Sequence, residues 1–166
     1  MRMSTEPISA SKLHVFGSML FFLSANIIVS PLSYFIDSTA WQPFRGPVFE
    51  ELLKYFLLFF CQRKKINISV FQIALAVGLA ETLNNMVIGY IKNVENITAM
   101  IESSGIDIAI TSLMLAVIIK MTVTIFGHYI SLKAGLLLLN FGIMASILTS
   151  ILVHLTINLI VVAGWN

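Results

Sequence analysis

The chain alternates between long apolar runs and short polar or basic interruptions. Five runs come near the roughly 20 residues that a helix needs to cross about 30 Å of hydrocarbon. They cover residues 13–36, 44–61, 66–91, 106–132 and 135–163. The runs lack the period-two alternation of barrel strands, and only helices and closed barrels satisfy every backbone hydrogen bond in lipid. The pattern therefore predicts an all-α, polytopic bundle of about five transmembrane helices.

Composition agrees with this prediction. Of the 166 residues, 58% are hydrophobic and only 11% are charged, whereas a soluble domain carries about a quarter charged residues. The first run is too long for a signal-peptide core and has no small-residue cleavage site, so we expect it to be retained. Beside such a bundle there is no room for a second domain. We expect residues 1–166 to form a single integral membrane domain.

The positions of Lys and Arg near the span ends predict the orientation, because basic residues concentrate on the cytoplasmic side. The densest cluster is Arg63-Lys64-Lys65, so we expect this loop and the N-terminus in the cytoplasm. The loop with Glu95 and Glu102 and the C-terminus then lie outside a cell membrane. The net charge of +2 is too small to indicate a nucleic-acid partner, which leaves the lipid bilayer as the expected surroundings.

Seven Glu, Lys and His side chains lie inside the predicted spans, away from their ends. A charge at the bilayer centre is costly, so such residues normally face the bundle interior and mark a functional site. The set comprises Glu50, Glu51, Lys54, Glu81, Lys120, His128 and His154, with Asn84, Asn85 and Asn158 as polar neighbours. These polar residues inside apolar helices are the strongest indication of function in the sequence.

Glu50, Glu51 and Lys54 share the second predicted span. On a helix Lys54 is four residues from Glu50 and three from Glu51, so either carboxylate can reach the ammonium. The two carboxylates point about 100° apart, so one could hold Lys54 while the other faces a cavity and acts as a general base. The alternative is a charged helix N-terminus shortly after Pro47. The spacing does not decide which glutamate is the base.

Other spans carry polar residues at helical spacing. His154 and Asn158 are four residues apart and could donate hydrogen bonds to an oxyanion, or else join helices to one another. Glu81, with Asn85 one turn later, could be a second catalytic carboxylate or could fix another polar residue. His128 could orient water or could be a boundary residue that snorkels. With straight spans it comes out about 10–15 Å from the other groups, nearer the cytoplasmic end.

Four blocks resemble, in order, the PrsW family of intramembrane proteases. They are Glu50-Glu51-Leu52-Leu53-Lys54, then Gly78 with Glu81 and Asn85, then His128, then His154-Leu155-Thr156-Ile157-Asn158. Gly78 and Ala80 in the second block also permit close helix approach. This block departs from the family at Asn84, where an acidic residue is common, and at Ile88, where an aromatic is common. CAAX-protease and bacteriocin-processing families are more distantly similar, with a basic residue where this chain has Tyr55.

The resemblance implies an endopeptidase that hydrolyses a peptide bond in or next to the membrane, in a membrane-anchored protein or peptide. Its catalytic residues would be Glu50, Glu51, Glu81, His128, His154 and Asn158, supported by Lys54 and Asn85. Glu50 would activate water, and His154 with Asn158 would stabilise the oxyanion. We expect no cofactor, although Glu and His ligands leave a zinc route open.

The alternative is a membrane protein without enzymatic activity. It could be a small transporter or ion-coupled carrier that relays protons through its buried Glu, Lys and His side chains. It could also be a structural or immunity-type subunit in which the same side chains lock helices together. Many transporters show internal repeats or paired broken helices, and the sequence shows neither.

Overall fold

The computed structural model describes residues 17–22, 24, 42–92 and 94–163, so most of the predicted first span lies outside the described residues. These described ranges contain helices and no strand, which confirms the predicted all-α class. Residues 17–22 are helical, and five longer helices follow. They are α1 (Gln42–Arg63), α2 (Val70–Lys92), α3 (Val94–Ser104), α4 (Ile106–Leu137) and α5 (Ile143–Ala163).

Three helices are long and apolar enough to cross a membrane, which is consistent with a membrane protein. The qualifying segments are Val70–Val87 of α2, the whole of α4, and Ile143–Val161 of α5. Helix α1 has 22 residues, about 33 Å at 1.5 Å per residue, but its charged side chains lower its mean hydropathy. The prediction of about five spans is therefore only approximate, and the orientation stays a prediction.

Large apolar side chains cover the outside of helix α4. Ile108 is 61% exposed, Met114 60% and Leu115 57%. Soluble monomers rarely expose contiguous apolar patches of more than a few hundred Å². Contact with lipid would cover this surface.

Helix α4 is the central helix of the described bundle. Helices α2 and α5 both pack along it, and α1 packs mainly against α5. The amphipathic helix α3, every residue of which is at least partly exposed, lies in the polar stretch that follows α2. Side chains from α1, α2 and α5 can therefore meet beside α4.

The turn between α4 and α5 lies later in the chain than the sequence predicted. We expected it near Lys133, but α4 continues to Leu137 and α5 begins at Ile143. A single lysine does not end a helix, and the Lys133 ammonium lies 5.8 Å from the centre of the Tyr129 ring. The chain turns instead at Gly142, whose φ of 118° is a conformation that glycine adopts without strain.

Helices α2 and α4 approach closely at Gly78, which confirms the prediction for the small residues of this block. A Cβ at Gly78 would lie 2.6 Å from Cγ1 of Ile125 and 3.0 Å from its Cα. Ala80 is fully buried. This close contact brings Glu81, three residues along α2, within reach of side chains on α4.

We expect Gly78→Ala to lower the free energy of unfolding by about 1–3 kcal/mol, because the added methyl group forces two packed backbones apart. Gly46→Ala is the matched control, since its Cβ would meet no atom within 4 Å, and an alanine favours a helix over glycine. Thermal unfolding of both variants in detergent, followed by helical circular dichroism, measures the difference. Equal melting temperatures would contradict the close contact.

Candidate functional site

Glu51 lies at the centre of a buried polar cluster that joins three helices. Its side chain is fully buried and is surrounded by four donors. Lys54 pairs with Oε1, Ser131 donates to Oε1 at 2.9 Å, and His154 Nδ1 lies 2.8 Å from the same oxygen. Ser150 donates to Oε2. Three of these donors meet at Oε1 and one at Oε2, so both oxygens of Glu51 have hydrogen-bond partners.

Lys54 is enclosed just as completely. Its Nζ contacts Glu51, donates to Ser131 Oγ at 3.1 Å and lies 3.3 Å from His128 Nδ1. An ammonium group has three hydrogens and can only donate, so its capacity is used and His128 Nδ1 must accept. Of the two pairings that the sequence left open, the structure has Lys54 with Glu51.

His128 connects this cluster to helix α2. Since its Nδ1 accepts from Lys54, its proton is on Nε2, which lies 2.9 Å from Glu81 Oε2. Asn85 Nδ2 donates to the other Glu81 oxygen at 3.2 Å. The contact between Glu81 and His128 corresponds to the second alternative that the sequence left open for Glu81, the fixing of another polar residue. The Glu81 side chain is 29% exposed, whereas the His128 side chain is 1% exposed.

The expected separation of 10–15 Å between His128 and the other site residues was wrong. The ring centroids of His128 and His154 are 4.9 Å apart, with the rings nearly perpendicular. The error came from the misplaced turn. His128 lies nine residues before the end of α4 at Leu137, and His154 eleven residues after the start of α5 at Ile143. The two histidines are therefore at a similar depth.

Glu50 differs from its neighbour because its carboxylate has no hydrogen-bond partner among the residues that the structure describes. Its Oε2 lies 3.7 Å from His154 Nε2, and its side chain is 15% exposed. In a neutral His154 with its proton on Nδ1, facing the Glu51 carboxylate, Nε2 carries a lone pair. Glu50 and His154 thus present two adjacent acceptors that can receive the two hydrogens of one water molecule.

Glu50, His128 and His154 could also hold a metal ion, because each offers one ligand atom and these atoms lie within 4.8 Å of one another. Zinc accepts such ligands, and the contact of His154 with Glu51 resembles the outer contacts that orient zinc-bound imidazoles. However, both ring nitrogens of His128 already have partners, Lys54 and Glu81. A metal would displace one of them, so these residues fit a hydrogen-bonded network better.

Three of the polar residues singled out in the spans, Asn84, Lys120 and Asn158, make no hydrogen bond or ion pair with the described residues of the cluster. Asn158 is one helical turn beyond His154 on α5, but it is exposed and has no hydrogen-bond partner in the described part of the chain. Its assignment as an oxyanion donor stays a prediction. Lys120 is exposed on α4.

The sequence did not single out Ser131 and Ser150, although both are fully buried and donate to Glu51. A weak signal was present. Ser150 precedes His154 by four residues and Ser131 follows His128 by three, so each serine shares a helical face with a candidate histidine. Serine is common in apolar helices, and the spacing alone does not distinguish these two.

Tyr55, one turn beyond Glu51, anchors α1 to the other two helices of the cluster. Its hydroxyl lies 2.6 Å from Ser146 Oγ, which in turn donates to the Gly135 carbonyl at 2.8 Å. A Cβ at Gly135 would overlap the Tyr55 hydroxyl and the Ser146 backbone. Close contact among α1, α4 and α5 at this level holds Glu51 opposite its serine partners.

No protein-family model, no curated protein and no solved structure matches this chain. The likeness of the four sequence blocks to the PrsW family therefore stays an expectation. The chemistry of the site is inferred from its own residues.

We expect Lys54→Met to destabilise the fold by about 3–5 kcal/mol, because it leaves the buried Glu51 charge without a counterion. Adding Glu51→Gln to that variant should restore part of the loss by removing the charge. Lys133→Met is the control, since Lys133 is an exposed lysine on α4. Denaturant unfolding in micelles measures these variants together with Glu51→Gln alone and the wild type, and additive effects of the two buried substitutions would contradict the ion pair.

Proposed function

We propose that this chain is an intramembrane endopeptidase in which Glu50 activates a water molecule for attack on a peptide bond. The contrast between two adjacent glutamates carries the proposal. Glu51 has a full set of hydrogen-bond partners, whereas the Glu50 carboxylate lies open beside the lone pair of His154. A general base must be held in position and must still be free to accept a proton. The hydrogen-bonded network around Glu51 meets the first need, and the Glu50 carboxylate, which has no hydrogen bond, meets the second.

In the proposed reaction a water molecule donates one hydrogen to Glu50 Oε2 and the other to His154 Nε2. Glu50 takes its proton as the water oxygen attacks the carbonyl carbon, which gives a tetrahedral oxyanion. The carbon–nitrogen bond then breaks, and the proton passes from Glu50 to the leaving nitrogen. The products are a carboxylic acid and an amine. Asn158, on the same helical face as His154, would donate to the oxyanion.

The remaining residues of the cluster hold this pair in place. Glu51 fixes the tautomer of His154, since its carboxylate accepts a hydrogen bond from Nδ1–H. Lys54, Ser131 and Ser150 hold the Glu51 carboxylate in place. His128 accepts a hydrogen bond from Lys54 and is itself bound to Glu81. These are positioning roles, because their polar atoms are used within the network.

The substrate in this proposal is a membrane-anchored protein or peptide, and the chain is a multi-pass protein of the cell membrane with its basic loop in the cytoplasm. The depth of the cluster supports cleavage within or beside the membrane. Glu81 lies eleven residues from each end of α2, about 16 Å at 1.5 Å per residue. An apolar outer surface on α4 would admit the substrate from lipid.

A proton-coupled carrier is the second candidate function. The observation that favours it is the unbroken series of contacts from Glu81 through His128, Lys54, Glu51 and His154 to Glu50. Its two terminal carboxylates are also its most exposed members, at 29% and 15%. Such a series could pass protons between two openings.

Glu50→Gln should reduce proteolysis by at least about 100-fold, because it removes the proton acceptor, and it should leave the melting temperature unchanged. The full chain, reconstituted in liposomes, is incubated with a set of single-span membrane peptides, and new termini are identified by mass spectrometry. Glu95→Gln, an exposed position on α3, is the matched control and should cleave like the wild type. Wild-type vesicles that cleave nothing, yet show a proton flux that Glu50→Gln abolishes, would favour the carrier.

We expect cleavage to persist after prolonged treatment with a zinc chelator, since His128 uses both ring nitrogens within the protein. Elemental analysis of the same preparation should show no stoichiometric transition metal. If chelation abolishes cleavage and added zinc restores it, the water is activated on a metal held by Glu50, His128 and His154. That result would overturn the direct role of Glu50 as base.

A further inference from the structure

Lys120 belongs to the set of seven ionisable residues inside the predicted spans, and the proposed mechanism does not use it. It is exposed on α4, fourteen residues after the helix begins at Ile106 and seventeen before it ends at Leu137. Its immediate surroundings are apolar, because Ile118 and Ile119 are exposed at 52% and 45%. An ammonium group at this depth is costly in lipid, and pairing with an anion lowers that cost.

Within the described residues, Lys120 forms no ion pair. Glu81, on the neighbouring helix α2, accepts hydrogen bonds from His128 and Asn85 rather than from Lys120. The ammonium of Lys120 is therefore open to an anion from another molecule.

The position of Lys120 relates it to the proposed site. It precedes His128 by eight residues on the same helix, which is about 12 Å along the axis. Glu81 binds His128 and is 29% exposed, so the polar cluster reaches the surface of the bundle at Glu81. An extended peptide rises about 3.3 Å per residue, so 12 Å corresponds to roughly three or four residues.

We propose that Lys120 binds a carboxylate of the substrate, carried by a residue three or four positions from the bond that is cleaved. This inference rests on the proposed function and specifies its substrate class: membrane-embedded segments with an acidic residue at that distance. An Asp or Glu in lipid also needs a cation, so the pairing would meet the needs of both groups. A lipid phosphate offers similar chemistry, and the experiment separates the two.

The test uses the full chain in phosphatidylcholine liposomes and one membrane-spanning peptide whose cleavage site has been determined by mass spectrometry. Variants of this peptide carry a single Glu, or Gln as its neutral counterpart, at successive distances from that site. Glu at the third or fourth position should raise kcat/KM about tenfold or more over Gln, the usual effect of a charge-assisted hydrogen bond. Lys120→Met should abolish this preference without lowering cleavage of the Gln peptide, and Lys120→Arg should keep most of it.

Lys133→Met, the other exposed lysine of α4, should retain the preference. The proposal is overturned if the wild type cleaves Glu and Gln peptides equally, which leaves the protease function standing. It is also overturned if Lys120→Met slows both peptides alike, or if the effect of Lys120 follows added phosphatidylglycerol rather than the peptide. Should the wild type cleave no membrane-spanning peptide, the protease function fails. Binding to Glu50→Gln of spanning peptides that carry a single Glu or its Gln counterpart, measured by fluorescence anisotropy, then decides the role of Lys120, and equal binding of Glu and Gln peptides overturns it.

Discussion

The buried, fully hydrogen-bonded carboxylate of Glu51 is the constraint on which the rest of the structure depends. A charge removed from water costs several kcal/mol unless a counterion and hydrogen bonds replace its hydration. Glu51 obtains these from Lys54 on its own helix, Ser131 on α4, and two donors on α5. Because the donors come from three helices, the Glu51 carboxylate receives all of its hydrogen bonds in only one register of those helices. The orientation of His154 and the open position of Glu50 follow from that register.

Small residues make this register possible. Backbones must approach closely for short serine side chains to reach a carboxylate on another helix. Gly135 provides the space beneath Glu51, where the Tyr55 hydroxyl meets Ser146, and Gly78 lets α2 bring Glu81 to His128. The site thus needs glycine where helices touch as much as it needs its ionisable groups.

The helical class and the ionisable residues of the cluster could be predicted from the sequence, because apolar runs and polar interruptions within them are local features. The pairing of Lys54 could not, since both glutamates lie within reach on one helix, and the choice depends on donors from α4 and α5. The predicted depth of His128 was wrong because the turn between α4 and α5 was placed at a single lysine, Lys133. The chain turns at Gly142 instead. Ser131 and Ser150 gave only a weak signal, because serine is ordinary in apolar helices.

The unfolding free energies of Glu50→Gln and Glu51→Gln, compared side by side in the same detergent, test the central claim most directly. Glu51→Gln should lower the free energy of unfolding by about 3–5 kcal/mol, because Lys54 is left buried without a counterion. Glu50→Gln should match the wild type within about 0.5 kcal/mol, since its carboxylate holds no hydrogen bond there. Equal losses, or a greater loss at Glu50, would contradict the division between a structural and an open glutamate.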